Sequence, residues 1–337
     1  MRLLMLGGTE FVGRAVTEAA LACGWEVTVF HRGRHAAPPG ATVLRGDRTA
    51  PGGLAALEHG AWDAVVDTWS GAPAAVRDAA QLLADRARSY VYVSTRSVYT
   101  YPARAGLAED GPVVEASPDS VDDTDYAQAK RGGELAALAA FGDRALLARA
   151  GLILGPYENV GRLPWWLTRI ARGGPVLAPG PRDLPLQYID ARDLATWLLD
   201  AAERGLGGPY NLVSPPGHTT MGELLETCVR TTAADADADA DLCWTTPERI
   251  LAADIAPWTD LPIWLPPGEL YDTLHAADVS KAVAAGLRCR PVGETVADTW
   301  AWLRGLGGQA PRRPDRPAVG LTPEKETEVL AVQRQRQ

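Results

Sequence analysis

The sequence predicts an α/β protein, a doubly wound parallel sheet with a smaller, loop-rich C-terminal region. Three observations carry that reading. Short apolar runs alternate with helical stretches through the first 150 residues. A glycine-rich turn, Gly7 to Gly13, separates the first apolar run from the first helical stretch. After Gly155 the texture changes: proline, glycine and tryptophan become frequent, and helices are spaced by long loops.

In chain order, Arg2–Leu6 is an apolar run of strand length, suited to burial on both faces. Residues 11–23 show helical periodicity and stop before Gly24. Strands are expected over 26–30, 42–45 and 63–67, a helix over 74–88, a strand over 90–94, a helix over 124–141 and a strand over 145–150. Strands separated by helices need crossover connections, hence parallel pairing. Further on, strands over 187–189 and 210–213 flank a helix over 192–203. The Ala-Asp tract 233–241 reads as a solvated spacer; a calcium loop is the alternative, but the tract lacks that loop's glycine and terminal glutamate. A Pro/Arg-rich linker, 309–317, leads to a helix over 322–333, with Thr322 as cap and Pro323 at the first helical position.

Composition removes several function classes. With 46% apolar and 22% charged residues, the 337-residue chain is neither disordered nor a disulfide scaffold. A net charge of -9 disfavours a nucleic-acid surface, which needs a basic footprint. Cys23, Cys228, Cys243 and Cys289 are scattered without a CxxC pair, and the five histidines stand apart, so no metal site is expected. The run from Met1 to Leu6 is too short for a signal-peptide core, and no stretch reaches the ~20 apolar residues of a membrane helix. A cytoplasmic protein without a membrane partner is expected. Only Lys130, Lys281 and Lys325 among 33 basic residues are lysine. Together with the abundant alanine, this points to GC-rich coding and makes each lysine worth inspecting.

At the first strand-helix junction, Gly7-Gly8-Thr9-Glu10-Phe11-Val12-Gly13 has the context of a dinucleotide-binding turn. Gly7 permits the tight turn, Gly13 lets the helix pack close, and N–H groups at the helix start can hold a pyrophosphate. Glu10 stands where a GxxGxxG pattern has its middle glycine, and its carboxylate would repel a phosphate, so its side chain is expected in solvent beside the phosphates. A helix-start turn without a ligand is the alternative. The second strand runs into His31, Arg32, Gly33 and Arg34. An NAD-preferring site has an acid where His31 falls; Arg32 and Arg34 can instead pair with a 2′-phosphate, favouring NADP(H), with NAD(H) as the alternative. Asp47, after the third strand, is placed to accept from the adenine amino group.

Tyr126 and Lys130 form a YxxxK pair, one helical turn apart on one face. A positive neighbour lowers a phenol's pKa and makes it usable as an acid/base near neutrality. An ordinary surface pair is the alternative.

These motifs, in this order, resemble the short-chain dehydrogenase/reductase superfamily in its extended or atypical, epimerase/dehydratase-like branch. The run Val93-Ser94-Thr95-Arg96-Ser97-Val98-Tyr99, then Tyr126 to Lys130, Arg149 through Gly155-Pro156, 187–193 and Tyr210-Asn211 extend the likeness to about residues 1–300. The resemblance implies a Rossmann-type domain over 1–155 and 186–213, a substrate-binding domain over 156–185 and 214–308, and a linker with C-terminal helix over 309–337. It implies that Tyr126 passes a proton to or from the reacting oxygen, that Lys130 lowers its pKa and holds the nicotinamide ribose, and that Thr95 orients the oxygen, with Ser94 as a weaker candidate. The nucleotide-sugar 4,6-dehydratases carry an Asp-Glu pair after that threonine; Arg96 and Ser97 stand here, which disfavours their elimination chemistry. The leading expectation is an NADP(H)-dependent reductase of a carbonyl or imine on a small metabolite. An epimerase that keeps its NAD(P) bound and acts on a nucleotide sugar, and a non-catalytic cofactor-sensing or RNA-binding member, are the alternatives. Members of the superfamily include monomers and homodimers, and Arg131, Gly132 and Gly133 give no clear apolar seam.

The substrate side is read from aromatic residues. Trp69 and Tyr101 follow the fourth and fifth strands; Tyr157, Trp165 and Trp166 follow the Gly155-Pro156 turn. With Arg96 they are candidates to face a bulky or aromatic substrate. Packing in the core is the alternative for each tryptophan, including Trp258 and Trp264. Arg162, Arg169, Arg172 and Arg182 suit either a sugar-nucleotide diphosphate or an ordinary surface.

Overall fold

A computed structural model describes residues 1–123, 125–235, 239–313 and 317–334. The chain divides into two compact units: Met1–Ile153, Ala191–Ser214 and Ala277–Arg288 in the first, Leu154–Asp190, Pro215–Ala276 and Cys289–Gln337 in the second.

In the first unit, strands β1 (Arg2–Leu6), β2 (Glu26–His31), β3 (Thr42–Arg45), β4 (Trp62–Asp67), β5 (Ala87–Thr95) and β6 (Ala145–Ala150) join a seventh, Gly208–Leu212, in one parallel sheet. Its spatial order is Gly208–Leu212, β6, β5, β4, β1, β2, β3. This is the Rossmann-type order that right-handed crossovers produce. Leu3 to Leu6 are buried, as a central parallel strand requires. The crossover helices are α1 (Phe11–Ala22), α2 (Pro73–Leu83) and α3 (Tyr126–Phe141). Helix Ala191–Glu203 packs against α1. Tyr188–Asp190 forms a strand outside the large sheet.

Among the boundaries that differ from the periodicity, two bear on the site. The second crossover helix ends at Leu83 rather than at 88, and β5 begins at Ala87. Pairing overrides helical pattern here: Trp62 N donates to Arg86 O at 2.8 Å, and Ala87 pairs with Trp62. The third helix begins at Tyr126, because Asp125 caps it by accepting from Gln128 N at 2.9 Å. The expected start, Thr124, lies outside the described residues. Gly132 and Gly133 are buried inside the unit: a Cβ on Gly133 would lie 2.3 Å from the Tyr92 hydroxyl, and one on Gly132 2.5 Å from Ser117 O. Gly133 lets α3 approach β5, and Gly132 lets it approach Pro73 of α2 and the Ser117 carbonyl.

In the second unit, helices Arg162–Ala171, Met221–Thr232 and Val292–Gly305 pack together, and strand Gly174–Pro179 pairs in parallel with Ala240–Thr245. Residues 236–238 of the Ala-Asp tract lie outside the described residues; on their near side Asp235 accepts from Trp300 Nε1 at 2.9 Å. The C-terminal helix, Pro323–Arg334, is docked within this unit. Glu326, 5% exposed, accepts from Arg169 Nε at 2.5 Å and from Leu177 N at 3.0 Å. Thr322 Oγ1 accepts from Lys325 N at 3.3 Å, the expected cap.

Glu158 is fully buried and accepts from Arg162 N at 2.7 Å and Leu163 N at 3.2 Å at the start of helix Arg162–Ala171. Burial pushes its carboxyl from 4.5 up to about 7, against the opposing pull of Arg162. Between those values the folded chain holds a proton that the unfolded chain releases, so this group's contribution to stability falls as pH rises through the window.

Two measurements test these packing arguments. Gly133→Ala is expected to lower stability by about 1–3 kcal/mol in denaturant titration, because the Tyr92 ring is fixed. Glu158→Gln is expected to flatten the change of melting temperature between pH 5 and 7 relative to wild type.

Candidate functional site

The described candidates of the first unit gather at the carboxyl ends of β1 to β5. At β1, Gly7 and Gly8 take φ of +111° and +86°, which side chains other than glycine avoid. A Cβ on Gly13 would lie 2.7 Å from Gly8 N and 2.9 Å from Gly8 Cα, so only glycine lets α1 begin this close to the turn. That close approach is the cradle a pyrophosphate needs, and the residues present fit a dinucleotide. Thr9 lies within the turn, and Val12 is buried in the first turn of α1. Glu10 is extended at φ -136°, ψ 149°, which explains why position 10 tolerates a residue other than glycine. Its carboxylate is exposed and lies 3.7 Å from His35 Nδ1. Phe11 carries the positive φ, +35°.

At β2, His31 Nδ1 accepts from Gly33 N at 3.2 Å. Burial, then Arg45 and His35, lowers the His31 pKa, so the ring holds the turn as a neutral group. Arg32 and Arg34 are exposed, and both act on Asp47. Asp47 is held below the usual carboxylate range first by the Thr49 hydroxyl, at 2.7 Å, then by Thr49 N, at 3.0 Å, with the arginines adding to this. A third guanidinium was not anticipated. Arg45 pairs in register with His31, and a Cβ on Gly33 would lie 3.5 Å from its Nε. The register of two parallel strands brings it there, and their separate sequences carry no sign of it.

At β4 and β5 the ammonium of Lys130, 3% exposed, donates to Trp69 O at 2.6 Å and Val93 O at 2.7 Å, and lies 4.9 Å over the Tyr92 ring. Tyr126, the first residue of α3, is 37% exposed one turn earlier. Thr95 ends β5; its Oγ1 accepts from Ser97 N at 3.1 Å and contacts Ser97 Oγ at 3.2 Å. Ser94 donates to Glu134 Oε1 at 2.8 Å, and Glu134 is paired with Arg149 at 2.9 and 3.0 Å. This engages Ser94 in anchoring α3. Arg96 is 3% exposed, and burial lowers its pKa to about 10. Also unanticipated is a buried pair beneath these residues: Arg48 donates to both Asp67 oxygens, at 2.8 and 2.9 Å.

The aromatic candidates separate. The Trp69 indole donates to Ala72 O at 3.0 Å, and Tyr101 is 58% exposed; both belong to the first unit. In the second unit, the Tyr157 ring packs at a tilt of 53° against Trp302, 5.5 Å away, and Trp165 meets Trp166 edge-on at 4.6 Å. Trp166 is fully buried, with its indole donating to Pro262 O at 2.7 Å, which leaves no surface for a substrate. Trp264 is likewise core, donating to Gly180 O at 2.9 Å. Arg169 is engaged by Glu326, Gly173 O and Pro175 O, so a diphosphate role does not fit it. No described helix is long and apolar enough to cross a membrane.

The model of the "NAD dependent epimerase/dehydratase family" matches residues 3–212. Among solved structures, the Bordetella bronchiseptica enzyme WbmG in complex with NAD and UDP is 18% identical, covers 94% of this chain and 99% of its own, and has a TM-score of 0.65. The WbmH enzyme of the same organism, in complex with NAD+, is 17% identical over 91% of this chain and 99% of its own, with a TM-score of 0.63. UDP-N-acetylglucosamine 4-epimerase from Bacillus cereus is 16% identical over 90% of this chain and 100% of its own, with a TM-score of 0.64. At these identities the likeness is one of fold. No curated protein matches.

Replacing Glu10 by Gln removes a negative charge from the phosphate turn. A reduced nicotinamide dinucleotide, NADH or NADPH, is then expected to bind the nucleotide-free protein about threefold more tightly or better in a fluorescence titration, with the gain shrinking as salt is added.

Proposed function

This chain belongs to the NAD dependent epimerase/dehydratase family, and from that premise we propose that it is an NAD(P)-dependent epimerase of a small metabolite, a nucleotide sugar being the leading class. The observation that carries the reading is the Lys130 ammonium, one helical turn from Tyr126 and fixed by Trp69 O and by Val93 O, two residues before the Thr95 that ends β5. A nicotinamide dinucleotide held by its pyrophosphate at the glycine turn would supply the acceptor and donor of hydride.

The chain's own groups supply the rest. Tyr126 takes the hydroxyl proton of the substrate as its carbinol carbon becomes a carbonyl, and returns it when the alcohol re-forms. Lys130 favours the phenolate by its charge and holds the nicotinamide ribose. Thr95 orients the reacting oxygen. Gly7, Thr9, Glu10, Phe11, Val12 and Gly13 frame the pyrophosphate. Arg96 and Ser97, where an Asp-Glu pair would serve 4,6-dehydration, support a cycle without elimination. Family membership supports epimerisation over the net carbonyl reduction expected from the sequence, and the fold shared with the UDP-N-acetylglucosamine 4-epimerase and with the NAD+-bound WbmH enzyme agrees with it.

Net reduction with NADPH is the second reading, favoured by one observation: the guanidinium groups of Arg32, Arg34 and Arg45 around the end of β2, suited to a 2′-phosphate. On that ground NADP(H) is also the proposed cofactor of the epimerase, with NAD(H) as its competitor.

Denaturing the purified protein and chromatographing the released nucleotide tests both points. A retained nicotinamide nucleotide, with stereochemical exchange of UDP-hexoses seen by NMR and no net NADPH consumption, is the expected result. Stoichiometric NADPH oxidation by a carbonyl compound would establish the reductase instead. Tyr126→Phe is expected to lower turnover at least about a hundredfold while the nucleotide stays bound.

A further inference from the structure

The proposed chemistry needs an ammonium held still, so what fixes the two carbonyls that hold Lys130 matters. Val93 lies inside β5, where the sheet ladder sets its carbonyl. Trp69 lies two residues beyond the end of β4 and has no ladder partner. Its placement comes from Asp67, the last residue of β4, whose Oδ1 accepts from Trp69 N at 2.9 Å.

Asp67 has no exposed surface and accepts from three more donors: Arg48 Nη1 at 2.8 Å, Arg48 Nη2 at 2.9 Å and the Tyr90 hydroxyl at 2.5 Å. Arg48 also donates to Ala75 O on α2, at 2.8 Å from Nη2, and its guanidinium lies 5.0 Å over the Trp69 ring. The Tyr92 hydroxyl donates to the same Trp69 carbonyl at 3.1 Å. Burial alone would raise the Asp67 pKa, but the Arg48 charge and the donated hydrogen bonds hold it low, so the carboxylate stays an acceptor. The pair is neutral as a whole and acts on Lys130 through geometry, with little net field.

We infer that Asp67 and Arg48 are positioning residues for the Lys130 ammonium, acting through the Trp69 carbonyl and so on the nicotinamide-ribose end of the cofactor site. This rests on the proposed role of Lys130. A role confined to stability would leave the two ends of the cofactor site equally affected, whereas positioning touches one end.

The test uses the full chain in three forms: wild type, Asp67→Asn and Tyr90→Phe. Tyr90→Phe removes one of the four hydrogen bonds to Asp67 and keeps the ring that packs on Phe141 at 5.0 Å, so it carries the test if Asp67→Asn does not fold. Calorimetric titration, on protein freed of retained nucleotide, compares NADPH with adenosine 2′,5′-bisphosphate, which lacks the nicotinamide ribose. NADPH is expected to weaken roughly threefold to tenfold in Asp67→Asn, and less in Tyr90→Phe, with the bisphosphate unchanged. Because the chain has three lysines, 15N-lysine labelling gives three side-chain resonances. That of Lys130 is expected to move in both variants, while those of Lys281 and Lys325 stay. Equal weakening of both nucleotides, or an unmoved Lys130 resonance in a folded variant, overturns the inference. If wild type binds neither NADPH nor NADH, the cofactor reading falls, and the Lys130 resonance alone decides whether the pair positions the ammonium.

Discussion

The first unit depends on one constraint: parallel strands joined by crossovers deliver all their carboxyl ends to the same edge of the sheet. Gly7 follows β1, His31 ends β2, Asp47 follows β3, Asp67 ends β4 and Thr95 ends β5. Residues far apart in the chain thereby share one rim without any local motif connecting them. The constraint also explains the glycines. Gly13 lets a helix start within contact of the turn that precedes it, and Gly133 lets α3 lie on Tyr92. Each is a place where backbone must approach closely if the rim is to stay compact.

Two buried charge systems stiffen this rim. On one side Arg48 and Asp67 tie the segment after β3 to the end of β4 and to Tyr90 on β5. On the other, Glu134 in α3 accepts from Ser94 at 2.8 Å, Arg131 at 2.8 Å and Arg149 at 2.9 Å. Burying ions is costly unless geometry and hydrogen bonds offset the lost hydration, so such pairs are poor sources of raw stability. What they supply here is direction. Glu134 holds the middle of α3 against β5 and β6, and Lys130 holds its first turns. Tyr126, exposed at the helix start, inherits its placement from both.

The sequence made part of this legible, for physical reasons. Patterns that repeat along one element are readable: the apolar run of β1, the periodicity of α1, the one-turn spacing of Tyr126 and Lys130. Glycines needing positive φ are readable too, as at Gly7. Contacts set by pairing between elements are not. The boundary between α2 and β5 moved because Ala87 pairs with Trp62, and no local propensity records that. Arg45 reached the end of β2 through strand register, and Arg48 met Asp67 across 19 positions. Trp69 was singled out for its ring, yet its carbonyl meets Lys130, and a carbonyl is common to every residue type. Trp166 and Arg169 shared the opposite fate: residue types suited to ligands, used up inside the second unit. Lys281 donates to Pro209 O at 2.6 Å and lies 4.1 Å over the Tyr210 ring, a link within the first unit.

Charge along the proposed cofactor groove is uneven, and the unevenness bears on which dinucleotide it suits. Glu10 brings a negative charge to the turn where a pyrophosphate would sit, which weakens the general attraction of the helix start for phosphate. At the adenosine end Arg32, Arg34 and Arg45 add three positive charges, with Asp47 engaged by Thr49 and the neutral His31 ring holding the Gly33 turn. A dinucleotide without a 2′-phosphate meets the first effect and gains little from the second. One with it would add a charge of about -1.5 to -2 near these guanidinium groups, and guanidinium binds phosphate with two aligned N–H donors. On the proposed reading, discrimination between cofactors would lie at the arginines after β2 and on β3, while Glu10 would weaken the attraction for the pyrophosphate that both share.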